Sequence, residues 1–297
     1  MKRKLVKQGG SALTVSLPAK WVKKYGLEAG DEIDVVEEGS EIVINQSKEK
    51  SLGEISIDIP ADVPFARRFL FLPYMRGYNT IKVHFHKNET LEKLQVYAPL
   101  MLGFEIVEQG PDYCIIKNIA KGIETEFDPM FNRQILVSIS MGKDIYDALV
   151  KGDYKRLESV IGMENLANKL NIFCRRMLNL HGYKDDKKTS AMYHISCLME
   201  GIADNYKDIC VEVLNKKLKL TKECMDLMKN VTDYLGFFYR LFNKFETKDL
   251  SELKKIETKT KEILGKIEKK ESKESVVVGL LRSIDHDIHH ASEELLV

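Results

Sequence analysis

The 297-residue sequence predicts an α+β protein: a small β-hairpin module at the N-terminus, an α+β middle segment and an all-helical second half. Three observations carry that prediction. Leu13, Val15 and Leu17 alternate with Thr14 and Ser16, which is the period of a strand. Alternating and helical runs then intermix as far as Lys117. Beyond Asp128 the strand signal disappears, and Leu253, Ile256, Thr260, Ile263 and Ile267 follow the 3-4-3-4 spacing of a packed helix. The expected domains are residues 1–46, 51–125 and 126–297.

The N-terminal module opens with an unusual charge distribution. Lys2, Arg3, Lys4, Lys7, Lys20, Lys23 and Lys24 all precede the first acid, Glu28. The whole-chain balance of 46 basic and 45 acidic residues says nothing of partners, so this asymmetry is what points to a polyanion. Pro18 suits the start of a short helix whose apolar side is Trp21, Val22 and Tyr25 and which Gly26 can end. Gly30-Asp31 turns the chain into a strand with Ile33 and Val35, and Glu38-Gly39-Ser40 turns it again before Ile42 and Ile44. About 45 residues with so few apolar groups bury too little surface to fold alone. A second copy of the unit is the simplest remedy, and it doubles the basic patch.

The pattern K-Q-G-G-S-A-L-T-V-S-L-P, then the short helix, then G-L-E-A-G-D-E-I-D-V, resembles the AbrB/MazE/SpoVT swapped-hairpin DNA-binding domain from Arg3 to Ile44. The resemblance implies a homodimer in which two chains interleave their hairpins into one small β-barrel, with basic and hydroxyl side chains of one face on DNA. The matching positions are Arg3, Lys4, Lys7, Ser11, Thr14 and Ser16. Cations there supply phosphate contacts and counterion release, and short hydroxyls reach phosphates or base edges. Lys20, Lys23 and Lys24 are either further contacts or the solvated face of the helix. Arginine, the bidentate reader of guanine, occurs in this module only at Arg3, so modest sequence specificity is expected.

After a polar linker from Asn45 to Lys50, the middle segment reads as strand, helix, strand, helix and hairpin. Ile55, Ile57 and Ile59 alternate; a helix opens at Pro64, runs through Phe65, Phe69, Leu70 and Leu72, is interrupted by Pro73 and ends near Gly77. Ile81, Val83 and Phe85 form a strand, and Leu91 to Leu102 a helix with a kink at Pro99. Phe104–Glu108 and Tyr113–Lys117 form a hairpin around Gly110-Pro111-Asp112. His84 and His86 have the spacing of metal ligands on one strand face, and Arg67-Arg68 that of an anion site; a solvated surface accounts for both pairs as well.

Breaks near Gly152-Asp153, Gly182 to Asp186, Leu220-Thr221, Thr247 to Leu250 and Glu271 to Lys273 divide the remainder into six long helices. Aligning Asp204 with His286 superimposes the third helix on the sixth, as expected for a duplicated pair of three-helix bundles. Glu200, Asp204 and Asp208, four residues apart, stack along one face, and such oxygen clusters suit Mg²⁺, Mn²⁺ or iron. The stretch E-G-I-A-D-N-Y-K-D-I resembles the E-x-x-x-D signature of PhoU-like phosphate-uptake regulators, with Gly152-Asp153 at the first turn and Glu164 and Asn168 on the second helix. That resemblance implies multinuclear metal clusters on carboxylates of both repeats. The second copy departs from it, with Arg282 over Glu200, and His286 and His290 over Asp204 and Asp208; Asn168 also replaces an acid. His286 and His290 with Glu293 suit zinc or iron instead, or with Arg282 an anion. The cofactor expected, if one is bound, is a divalent ion: iron, zinc, manganese or magnesium.

Five cysteines, odd in number and never in C-x-x-C pairs, argue for a reducing compartment and buried thiols. No apolar stretch approaches the roughly 20 residues that span a bilayer, so a soluble, cytoplasmic protein is expected. No catalytic triad order, phosphate loop or H-E-x-x-H helix is present, which reads against an enzyme. The function expected is a DNA-binding regulator of phosphate uptake or homeostasis with a sensory or partner-binding helical domain. The alternative is an adaptor of a phosphate transporter or sensor that uses its hairpins only to dimerise.

Overall fold

The computed structural model describes residues 2–10, 12–38, 41–46, 52–60, 66–120, 122, 126–267 and 273–295. The chain divides into two compact units, Met1–Lys50 and Ser51–Val297. In the first unit, β1 (Val6–Gln8) pairs antiparallel with β2 (Ala12–Thr14), and β3 (Ile33–Glu38) pairs antiparallel with β4 (Glu41–Gln46). Between the two ribbons lies α1 (Ala19–Tyr25), entered through Pro18 and closed by Gly26 at φ +61°, a conformation that glycine adopts without Cβ strain. The alternation around Leu13 predicts a strand to Leu17; pairing stops at Thr14 because β1 is only three residues long. Asn45 and Gln46, expected in the linker, complete β4 opposite Asp34 and Ile33. Ser11 and the Gly39-Ser40 turn lie outside the described residues, as do Pro64 and Phe65.

The second unit opens with a four-stranded sheet of order β5-β6-β8-β7, built from β5 (Glu54–Ile59), β6 (Thr80–Phe85), β7 (Phe104–Gln109) and β8 (Tyr113–Asn118). β5 and β6 are parallel across α2 (Ala66–Arg76), and the other pairs are antiparallel. Ile59, Ile81, Val83, Phe85, Cys114 and Ile116 pack with Leu70, Tyr74 and Leu94 of α2 and α3 (Asn88–Tyr97). α2 runs straight through Pro73, where an interruption was expected. Proline removes one helical donor. Here that loss falls in the last turn, where Leu70, Tyr74 and Met75 are buried and Tyr78 N–H closes on the Pro73 carbonyl at 3.2 Å. Pro99 likewise does not kink a helix, because α3 ends at Tyr97 and Ala98–Leu100 form a 3₁₀ turn.

Six long helices follow: α4 (Phe127–Lys151), α5 (Tyr154–His181), α6 (Thr189–Lys216), α7 (Lys222–Asn243), α8 (Asp249–Ile267) and α9 (Ser275–Leu295). Their boundaries carry the chemistry the sequence shows. Gly152 ends α4 at φ +68°, Asp153 caps α5 by accepting from Arg156 N–H, and Thr221 caps α7 by accepting from Cys224 N–H. The six share one hydrophobic core. α4 packs on α5, α6 and α7, while α9 packs on α6 and α7. α6 and α9 run antiparallel: His194 Nδ1 lies 2.7 Å from Glu294 Oε1, and Asn205 Nδ2 donates to Ser283 Oγ at 3.1 Å. A Cβ on Gly201 would lie 3.2 Å from Asp287 Oδ2. Aligning Asp204 with His286 places Gly201 over Ser283 and Asn205 over Asp287, so the two contacts exchange with one another under that alignment.

Among the described residues no helix is long and apolar enough to cross a membrane. All five cysteines are free thiols, and burial pushes Cys114 up to about 11 and Cys210 and Cys224 up to about 12. Cys114, Cys174, Cys210 and Cys224 are buried packing groups, while Cys197, expected to be buried with them, is only half-buried.

Candidate functional site

Sequence reasoning points to two places, the basic N-terminal strands and the acidic third helix of the bundle. In the first unit Arg3, Lys4, Lys7, Thr14 and Ser16 are all exposed. Among the described residues none of the three cations meets an acid, so each presents its full charge to solvent. Thr14 Oγ1 donates to the Val6 carbonyl at 3.1 Å, which ties the ends of the β1–β2 ribbon. The register sets Lys7 opposite Leu13 and Thr14 opposite Val6. Directly opposed residues share a face and neighbours alternate, so Lys7 and Thr14 stand on opposite faces of the ribbon rather than on one. Lys24 lies 5.0 Å over the Tyr25 ring on α1.

Among the described residues of this unit no side chain is buried. Leu13 is 63% exposed, Val35 60% and Ile42 70%.

In the second unit, Glu200 and Asp204 line a cleft of about 400 Å³ between α2, α5 and α6. One wall is Arg67, Arg68, Phe71, Leu72 and Met75 of α2; the other comes from Glu164, Asn168, Asn171, Ile172 and Arg175 of α5 with Glu200, Asp204 and Lys207 of α6. The floor is polar but satisfied, since Asn171 Nδ2 donates to the Ser196 carbonyl at 2.6 Å and Asn168 Nδ2 donates to Glu164. Lys207 Nζ sits 2.9 Å from Asp204, 3.8 Å from Asp208 and 3.9 Å from Glu164. An ammonium thus holds the centre of the acidic cluster. Burial, reinforced by Asp204, raises the Glu200 carboxyl above the usual range, while Arg175 and Arg67 pull it back. Burial also raises Glu164 against the pull of Lys207.

The histidines lie on α9. The Nε2 atoms of His286 and His290 face each other at 3.0 Å. Behind them, Asp287 Oδ1 is 3.7 Å from His286 Nδ1, and Glu293 Oε2 is 3.2 Å from His290 Nδ1. His289 joins Glu257 at 3.2 Å and Glu293 at 3.3 Å. Among the described residues no group of three or more His, Cys, Asp or Glu side chains is arranged to hold a metal ion. His86, read beside His84 as a metal candidate, instead meets Asp58 at 3.0 Å, and His84 leans on the Tyr113 ring.

Arg67, read beside Arg68 as an anion candidate or as helix surface, becomes a cleft residue through the docking of α2 on α5, a contact between segments far apart in the chain. Arg176 carried no assignment from the sequence. Arg176, 1% exposed, donates to the carbonyls of Tyr74 at 2.6 Å and Tyr78 at 2.9 Å and to Asn79 Oδ1 at 2.6 Å, pinning the α+β layer to the bundle. Only the doublet Arg175-Arg176 inside an otherwise apolar helical run hinted at it.

No similar curated protein and no similar solved structure was found. Residues 6–52 match the model of a family described as antidote-toxin recognition MazE, bacterial antitoxin. This segment is a MazE/AbrB-type domain of the swapped-hairpin family.

Proposed function

We propose that the protein is a DNA-binding transcriptional regulator that acts as a homodimer through its N-terminal unit. The observation that carries the reading is the run of exposed cations without acidic partners among the described residues: Lys7 inside the MazE/AbrB-type segment and Arg3 and Lys4 just before it. A second copy covering Leu13, Val35 and Ile42 supplies the burial that one chain lacks. Because Lys7 and Thr14 occupy opposite faces of the ribbon, a contact using both follows the ribbon's edge along the groove. Arg3, Lys4 and Lys7 provide phosphate contacts; Ser11, Thr14 and Ser16 provide short hydroxyl contacts.

The helical half is the sensory or partner-binding part. Its six helices and the exchanged α6–α9 contacts support a duplicated, PhoU-like pair of three-helix bundles, and with it a role in phosphate homeostasis. The test is a fluorescence titration of the full chain against a duplex from its own upstream region and a scrambled duplex. Tighter binding to the first supports a regulator. Absence of binding by a folded dimer refutes it and leaves the adaptor reading, in which the hairpins serve dimerisation alone.

A further inference from the structure

The cleft between α2 and the α5–α6 pair holds two groups that its own packing leaves unused. Lys207 is taken up by Asp204, Asp208 and Glu164. Arg175 gives Nε and Nη2 to Tyr193 Oη at 3.0 and 2.8 Å and stacks over that ring. Arg67, by contrast, lies 5.1 Å over the Phe71 ring and makes no hydrogen bond among the described residues. Glu200, on the facing wall, has neither a hydrogen bond nor an ion pair among them. The two share one cleft and feel each other's charge, yet they do not pair. A guanidinium and a carboxyl held apart across a half-enclosed space solvate each other poorly, and both keep hydrogen-bonding capacity that a ligand can fill.

We propose that this cleft binds a small organic oxyanion that carries a hydrogen-bond donor beside its charge, with Arg67 on the oxyanion and Glu200 on the donor. Guanidinium presents a planar fork that fits carboxylate or phosphate oxygens in pairs. Glu200 accepts from an ammonium or a hydroxyl group. Phe71, Met75 and Ile172 give the carbon body an apolar wall, and the cavity of about 400 Å³ is within the range of small-molecule sites. Two kinds of compound share this chemistry: amino acids, with carboxylate and ammonium, and phosphorylated alcohols, with phosphate and hydroxyl. Because one wall is α2 and the other the bundle, an occupant bridges the α+β layer to the helices. The inference deepens the sensory role proposed for the helical half, and it is measured without DNA.

The experiment is isothermal titration of the full chain with L-glutamate and glycerol 3-phosphate, each against its oxyanion-only control, acetate and inorganic phosphate. At least one two-function probe is expected to bind about tenfold or more tightly than its control, the factor that one charge-assisted hydrogen bond supplies. The probe that does so identifies the class. Arg67→Gln abolishes that binding, and Arg67→Lys, which keeps the charge and loses the fork, weakens it. Glu200→Gln removes the advantage over the control and leaves the control unchanged. Equal binding of probes and controls, no binding at millimolar concentration, or full binding by Arg67→Gln overturns the proposal. Far-ultraviolet circular dichroism verifies that each variant is folded.

Discussion

Replacing Arg176 with methionine tests how the α+β layer is held to the bundle. The substitution keeps most of the side-chain stem and removes the guanidinium. The Tyr74 carbonyl retains Gly77 N–H at 3.1 Å, but Tyr78 O and Asn79 Oδ1 lose the bonds that Arg176 makes to them. Each orphaned acceptor, partly buried here, costs toward the low end of about 1–3 kcal/mol. The guanidinium also lies 5.0 Å over the Tyr74 ring and 4.9 Å over the Phe104 ring, and each such contact contributes up to about 2 kcal/mol when desolvated. Removing a buried charge returns part of this through its desolvation. The net expectation is a loss of about 3–5 kcal/mol, a large share of the roughly 5–15 kcal/mol that stabilises a domain. Urea unfolding followed by circular dichroism measures the loss, and amide exchange in β5–β8 locates it. A loss below about 1 kcal/mol would refute the view that this arginine joins the two layers.

Three further outcomes follow from the same geometry. Because burial and Asp204 raise the folded-state pKa of Glu200, the folded protein binds more protons than the unfolded chain between the ordinary glutamate value and the raised one. Stability therefore falls as pH rises through that window. Glu200→Gln raises Tm at pH 7, and the gain vanishes below about pH 4, where the carboxyl is neutral in both states. Gly142 sits where α4 meets α6 and α7, and a Cβ there would lie 2.6 Å from Thr232 Oγ1 and 2.7 Å from Tyr206 Oη. Gly142→Ala costs about 1–3 kcal/mol by overpacking, despite its better helix propensity, and lowers Tm in calorimetry. Leu13→Ser with Ile42→Ser shifts the protein from dimer to monomer in sedimentation, and an unchanged dimer would place the interface elsewhere.

The parts of the fold that were legible depend on local chemistry. Gly152 and Asp153 mark a helix boundary because one adopts positive φ and the other caps; the hairpin around Gly110-Pro111-Asp112 is set by turn residues between alternating runs. Pro73 misled because a local rule, the missing N–H, lost to tertiary burial of Leu70 and Tyr74. The site was half legible. Glu200, Asp204 and Asp208 share a helix, so their spacing shows them together. Lys207 stands at their centre, but spacing alone does not distinguish it from any surface lysine of α6. Arg67 and Arg176 acquire their roles from the docking of α2 on α5, which no local pattern encodes. In the first unit the apolar alternation was plain, but Leu13, Val35 and Ile42 stay exposed in the single chain, and no local pattern encodes what would cover them.

The central claim is that Arg3, Lys4 and Lys7, which meet no acid among the described residues, bind DNA. The most direct measurement is the salt dependence of affinity for a duplex, wild type beside Lys4→Ala/Lys7→Ala. Each lysine on a phosphate contributes about 0.9 to the slope of log K against log salt, so losing two from each chain of a dimer lowers the slope by about 3–4. The account predicts steep salt dependence in the wild type and that reduction in the variant. Equal slopes, or no binding by the folded wild-type protein at low salt, would contradict it.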